Sequence, residues 1–299
     1  MRAGTGLKRL FRNIVRGGLG RLLSRPPRHP RILMYHSVDD SGSVLSVSRD
    51  QLRWHLQMLR ELGFRGLALS EFRDRAITDQ LGCASPQVLL TFDDGYQNFA
   101  EQAVPILCEF GFPATVFVVP AFMGKSPEWY GRDRHIVAEL SGRLSSNAVE
   151  VSEILNRINS LSQLPLMTWA EAKQVSLLGF DVASHSLEHR RLTELTEREL
   201  THDLSTSRSM LAAQLGADGD VLCYPYGACD SKVIKATAAA GYRAGMVASL
   251  ESTNNIFQLN RVGVGTQTTP QEFRYLLSQA LDFEWRIRSV YMDCRGWAG

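Results

Sequence analysis

Cysteine is scarce and unpaired: five residues in 299 (Cys83, Cys108, Cys223, Cys229, Cys294), an odd number with no CxxC spacing. This excludes a disulfide framework and a cysteine-based zinc site, and it fits a reducing compartment. No window approaches the run of about 18 apolar residues that a membrane-spanning helix needs. Acid is absent from residues 1–30, which carry eight basic residues, and arginine interrupts their apolar stretches before any secretory core forms. The other residues hold 25 basic against 31 acidic side chains, a net of −6, so the body has no general affinity for nucleic acid. What is present is an ordinary globular mixture, 44% hydrophobic and 21% charged, enough for one large domain or two small ones.

The basic arm is patterned. Leu7, Leu10, Phe11, Ile14, Val15, Leu19, Leu22 and Leu23 recur three and four apart and leave the rest of the helix to arginine and lysine. Such a basic amphipathic helix suits peripheral membrane contact through residues 7–23, or packing on protein. Gly17, Gly18 and Gly20 weaken it. The run Arg25-Pro26-Pro27-Arg28-His29-Pro30 ends it and serves as a stiff linker. The expected organisation is therefore an arm with linker over 1–30 and a single domain over 31–299, placed in the cytoplasm or at the cytosolic face of a membrane.

From residue 31 the chain alternates between strand and helix. Short apolar runs at Arg31–His36, Gln87–Phe92, Thr115–Val119, Phe180–Ala183, Val221–Tyr224, Tyr242–Val247 and Arg261–Val264 read as strands. Helical periodicity falls at Asp50–Leu62, Gln97–Phe110, Thr168–Leu178, Glu197–Leu215 and Ser231–Ala240, and Pro270 opens a last helix to about Arg288. This order predicts an α/β domain with a parallel sheet, either doubly wound or closed into a barrel. Residues 124–166 lack a strand and read as an inserted helical excursion or loop, the kind of segment that meets substrate.

Chemistry in parallel α/β folds sits at the C-terminal ends of the strands, and four clusters fall there. In Thr91-Phe92-Asp93-Asp94-Gly95-Tyr96, two adjacent carboxylates suit one cation ligand and one free base, or an Asp-Gly turn with a helix cap. In Ser184-His185-Ser186-Leu187-Glu188-His189, histidines four apart on one side of a helical turn suit a divalent metal, with one Asp as a third ligand. The same letters spell the inverted zincin pattern, with Glu188 as base, which would need a long helix. Leu222-Cys223-Tyr224-Pro225-Tyr226-Gly227 is a rigid loop able to aim an amide at an oxyanion. His36, ending the first strand in Met34-Tyr35-His36-Ser37, is a candidate proton donor.

MYHSV, TFDDGY, SHSLEH and YPYG, in this order between about Ile32 and Leu277, resemble the NodB-type polysaccharide deacetylases, the fourth carbohydrate esterase family. The resemblance implies a distorted (β/α) barrel of about seven parallel strands and a metal-dependent hydrolase that removes N-acetyl groups, or less often O-acetyl groups, from carbohydrate. It implies Asp94, His185 and His189 as metal ligands, most often for Zn2+ with Co2+ or Ni2+ as alternatives. Asp93 would be the general base, and the amide of Tyr226, after Pro225, an oxyanion donor. No histidine follows His202, so the late histidine acid of many members is missing. The Tyr-His start resembles the poly-N-acetylglucosamine deacetylase subgroup, which makes His36 the candidate acid. Cys223 stands where many relatives have an arginine that holds the catalytic Asp, and Arg261 is the candidate replacement tether. The expected partner is an N-acetylated carbohydrate. Two alternatives remain: a hydrolase of small non-sugar amides or imides, and a non-catalytic carbohydrate-binding relative.

Overall fold

The computed structural model describes residues 25–132, 156, 160–216, 219–248 and 255–285. The amphipathic arm at 7–23 and much of the 124–166 insertion lie outside the described residues. In chain order the elements are β1 (Arg31–Tyr35), the short pair β2 (Ser37–Val38) and β3 (Ser46–Val47), α1 (Arg49–Glu61), β4 (Arg65–Gly66), α2 (Leu69–Ile77) and β5 (Gln87–Phe92). Next come α3 (Val104–Phe110), β6 (Thr115–Val118), α4 (Trp129–Arg132), α5 (Trp169–Leu177), β7 (Asp181–Ser184) and α6 (Glu197–Leu215). The chain continues through β8 (Val221–Cys223), α7 (Ser231–Ala239), β9 (Ala244–Val247), β10 (Leu259–Asn260), β11 (Val262–Gly263) and α8 (Pro270–Leu276).

The main sheet runs β10-β9-β8-β7-β6-β5-β1-β11, with β4 added beside β5, and every pairing in it is parallel. β10 and β11 are one stretch of chain split at Arg261. Its first half pairs with β9 and its second with β1, so this short seam closes the sheet into the expected barrel. Strand alternation then sorts the core. Ile32, Leu89, Phe117, Ala183, Val221, Ala244 and Met246 form one buried cluster. Their neighbours Leu33, Val88, Leu90, Val116 and Val182 pack in another with α1, α3 and α5.

Local chemistry explains the helix starts. Ser48/Gln51, Thr168/Glu171, Thr196/Glu199 and Thr269/Glu272 each form a reciprocal capping box that opens α1, α5, α6 and α8. α2 has no such cap at Ala68 and buries only Leu69 and Phe72, so its sequence carries little signal. Tertiary ties hold it instead: the Leu69 amide donates to Asp181 (2.8 Å), Arg73 to Asp220 (2.9 Å) and Arg75 to Gln87 (2.6 Å). It thereby spans the starts of β5, β7 and β8 and covers the N-terminal end of the barrel.

Two expected helices are interrupted. Gln97–Phe110 begins with a π turn at Phe99–Ala103 before α3. The last helix breaks after Leu276, because the Ser278 hydroxyl donates to Tyr275 O (2.8 Å) and accepts from the Ala280 amide (3.3 Å), capping a new turn. The Ser278 carbonyl in turn accepts from buried Arg31 (2.9 Å), which also pairs with Asp282 (2.9 Å).

His55 of α1 is fully buried among rings, stacked on Phe273 at 4.2 Å and near Trp54 and Tyr35, with neither ring nitrogen hydrogen-bonded. Burial pushes its pKa down to about 3. Below its ordinary value near 6.5 the unfolded chain takes up a proton that the folded chain refuses, so stability falls as the pH drops from about 6.5 toward 3. This one residue should contribute a slope of up to about 1.4 kcal/mol per pH unit. His55→Phe should remove that part of the slope, measured by urea unfolding at pH 7 and pH 5.

Candidate metal and catalytic centre at the barrel mouth

The functional candidates all leave C-terminal strand ends. His36 follows β1, Asp93 and Asp94 follow β5, His185 follows β7, Pro225 and Tyr226 follow β8, and Arg261 sits in the seam. Backbone strain aims several of them. Asp94 (φ 72°), Ser186 (φ 65°), His189 (φ 56°) and Tyr226 (φ 60°) are left-handed without being glycine, a costly conformation that clusters at functional sites. Gly95 is required where it stands: at φ 75° a Cβ there would meet Val118 Cγ1 at 2.9 Å.

The two histidines do not lie on a helical turn as their spacing predicts. Ser186 and His189 are left-handed, and the segment after β7 is an irregular loop. The inverted zincin geometry is excluded with it. The loop is tied by its own polar groups: Leu187 N donates to buried Asp203 of α6 (2.9 Å), and His189 N to Ser186 Oγ (3.0 Å). The result still brings His185 and His189 together, ring centroids 4.8 Å apart, by a loop route rather than a helical one.

Asp94 Oδ1 lies 3.6 Å from His185 Nε2 and 3.4 Å from His189 Nε2, and these three buried groups offer donors within 4.8 Å of one another. His185 Nδ1 is paired with the Cys223 carbonyl (2.9 Å), which turns Nε2 toward the cluster. Burial holds both imidazoles below their usual range, hence neutral and able to donate lone pairs. Burial, then the neighbouring Asp93 charge, pushes the Asp94 carboxyl up to about 8. Two neutral imidazoles and a carboxylate that lacks a countercharge are a donor set fitted to a borderline divalent cation.

Asp93 has a different setting. Arg261 grips it with two parallel bonds, Nη1 to Oδ1 and Nη2 to Oδ2, each 2.7 Å. Burial alone would raise this carboxyl, but the Arg261 charge prevails and holds it well below the ordinary range. Arg261 also donates to Thr91 Oγ1 (3.2 Å) and Cys223 Sγ (2.9 Å), and its guanidinium lies 5.7 Å from the Phe117 ring centre. His36 Nε2 and His185 Nε2 each lie 4.0 Å from Asp93 Oδ2. Burial lowers His36 to about 4, so it is neutral at rest. Tyr226 occupies a tight turn after Pro225, its ring edge-on to His189 at 4.7 Å.

The motif reading missed the groups that surround these residues. Asp203 and the Trp129–Arg132 turn carry no motif in the sequence.

A closed parallel barrel with its polar residues gathered at the C-terminal mouth is the architecture of a barrel enzyme. The sequence pattern of the polysaccharide deacetylase family matches residues 83–245, and the chain belongs to that family. It is 25% identical over 243 residues to YxkH of Bacillus subtilis (strain 168), whose name places it among the polysaccharide deacetylases, covering 80% of this chain and 72% of that one. Over 87 residues it is 34% identical to the poly-beta-1,6-N-acetyl-D-glucosamine N-deacetylase of Escherichia coli (strain K12), covering 27% of this chain but 12% of that protein. The fold resembles the Streptococcus pyogenes deacetylase PplD (TM-score 0.65, 20% identity, 84% and 99% of the two chains). It also resembles IcaB from Ammonifex degensii (TM-score 0.64, 20% identity, 87% and 98%).

Removing the Asp203 carboxylate leaves the Leu187 amide buried without a partner. Asp203→Ala should therefore cost about 1–3 kcal/mol, with Asp203→Asn recovering most of it, as read by denaturant unfolding.

Proposed function

We propose that this chain is a metal-dependent N-deacetylase acting on an N-acetylated carbohydrate, a polysaccharide or an intermediate of glycan synthesis. The observation that carries the reading is the division of labour between two adjacent carboxylates: Asp94 faces two histidines, while Asp93 is turned to a bidentate arginine. Family membership supports it. So does the likeness to a relative named for removing acetyl groups from poly-beta-1,6-N-acetyl-D-glucosamine.

Asp94, His185 and His189 would hold the metal. A divalent ion there, Zn2+ before Co2+ or Ni2+, supplies positive charge that polarises the acetyl carbonyl and acidifies water. Asp93 stays ionised because Arg261 fixes it, so its free lone pairs can take a proton from the attacking water. The Arg261 grip also fixes which way those lone pairs point. As the water oxygen bonds to the carbonyl carbon, the Tyr226 amide serves as a hydrogen-bond donor to the developing oxyanion. Cleavage of the C–N bond then releases acetate and an amine, which must gain a proton. His36, whose Nε2 lies 4.0 Å from Asp93 Oδ2, fills that role by taking the proton that Asp93 drew from the water and passing it to the amine.

Acetate release from short N-acetylglucosamine oligomers and a lipid-linked acceptor tests the reading directly. Zn2+- or Co2+-loaded protein should release acetate, chelator should stop it, and Asp93→Asn should lower kcat by about 10²–10⁴-fold. If metal binds stoichiometrically and no sugar is turned over, the carbohydrate reading fails. Arg261→Lys keeps the charge but not the two-pronged grip, and kcat should fall about 10²-fold while metal stoichiometry stays unchanged. Full activity in that variant would remove Arg261 from the mechanism.

A further inference from the structure

The insertion at residues 124–166 ends against the carboxylate loop, and its first residues are bonded to that end. Met167 N donates to Gly95 O, Gln97 N to Pro165 O and Leu166 N to Lys125 O, each at 2.9 Å, and Tyr96 bridges Leu166. This footing delivers α4 to the metal-ligand cluster. The Trp129 indole lies nearly parallel to the His189 ring, centroids 4.6 Å apart with 24° between planes. The Tyr130 hydroxyl sits 3.5 Å from Asp94 Oδ2 and 2.7 Å from the Tyr96 hydroxyl. Arg132 donates to the carbonyls of Glu188 (2.9 Å) and His189 (3.4 Å). One turn of chain thus touches two of the three candidate ligands through three kinds of interaction.

His189 has particular need of this. A metal-ligating histidine ordinarily fixes its ring by hydrogen-bonding the nitrogen that does not bind metal. His185 does so through the Cys223 carbonyl, whereas His189 Nδ1 is buried with no hydrogen-bond partner among the described residues. Its ring is held by surfaces instead, the Trp129 face on one side and the Tyr226 ring at 4.7 Å. Its left-handed backbone is fixed by Ser186 at the amide and Arg132 at the carbonyl. At Asp94, the Tyr130 hydroxyl takes Oδ2, leaving Oδ1 turned to both histidines.

We propose that the Trp129–Arg132 turn is a clamp that sets the metal affinity of this centre, with Trp129 the positioning residue for His189 and Tyr130 that for Asp94. The clamp rests on the reading that Asp94, His185 and His189 hold the metal. It makes the Trp129–Arg132 turn a wall of the centre.

The test is a titration of chelator-stripped full-length protein with Zn2+ in competition with a dye, and with Co2+ followed by its visible absorption. Wild type should bind one equivalent and His189→Ala should lose it. Trp129→Ala should weaken binding by about 10–100-fold and alter the Co2+ spectrum, and Trp129→Phe, which keeps an aromatic face, should recover most of the affinity. Arg132→Ala acts from a solvent-facing side chain and should also raise the metal Kd while the metal-free melting temperature stays near wild type. It decides the matter should Trp129→Ala not fold. Affinities within twofold of wild type in folded Trp129→Ala and Arg132→Ala, with His189→Ala defective, would overturn the clamp and leave the metal site standing. Failure of wild type to take up an equivalent of either ion would overturn the metal reading, and the clamp with it.

Discussion

The bidentate pair between Arg261 and Asp93 is the interaction on which the mouth of this barrel depends. Two opposite charges are buried together there, and either alone would carry a desolvation cost of several kcal/mol. Because Arg261 belongs to the seam between β10 and β11, the same residue that completes the ion pair sits where the sheet closes. Catalytic geometry and barrel closure are thus fixed by one short stretch of chain. The pair also separates two neighbouring carboxylates electrostatically: Asp93 is drawn down by its arginine, while burial and the neighbouring Asp93 charge push Asp94 up.

Strain supports this arrangement. The backbone at Asp94, Ser186, His189 and Tyr226 costs of order 1–3 kcal/mol at each position, and each is held by the packing and hydrogen bonds around it. Asp203, Ser186 and Arg132 hold the histidine loop, and the end of the insertion at Pro165–Met167 holds the loop after β5. Residues outside the recognisable motifs therefore determine the shape of the centre.

β1, β5, β6, β7, β8, β9 and β11 were legible because their apolar runs are short, β-rich and set between turns, and the residues at their ends announced the chemistry; the two-residue strands β2, β3, β4 and β10 lie outside any such run and leave no such signal. Arg261 was legible through a missing partner: Cys223 stands where a guanidinium is expected, and a carboxylate still needs one. What the sequence hid was decided by tertiary contacts. α2 has neither cap nor long apolar stripe and owes its place to Asp181, Asp220 and Gln87. The i,i+4 histidines matched a helical template, but left-handed residues at Ser186 and His189 break it. The break after Leu276 came from one serine capping a new turn.

The seam also fixes the order in which this protein can mature. Arg261 reaches Asp93 across 168 positions of sequence, and β11 pairs with the strand that begins the domain. Contacts so distant along the chain close late in folding, after their loop-closure entropy has been overcome by the helices and inner strands. During synthesis, then, a nascent chain that has exposed all three candidate metal ligands still has an open barrel and an Asp93 without its arginine. The ion pair forms only once the seam is made, so the fixed geometry of Asp93 arises in the step that completes the barrel rather than building up gradually.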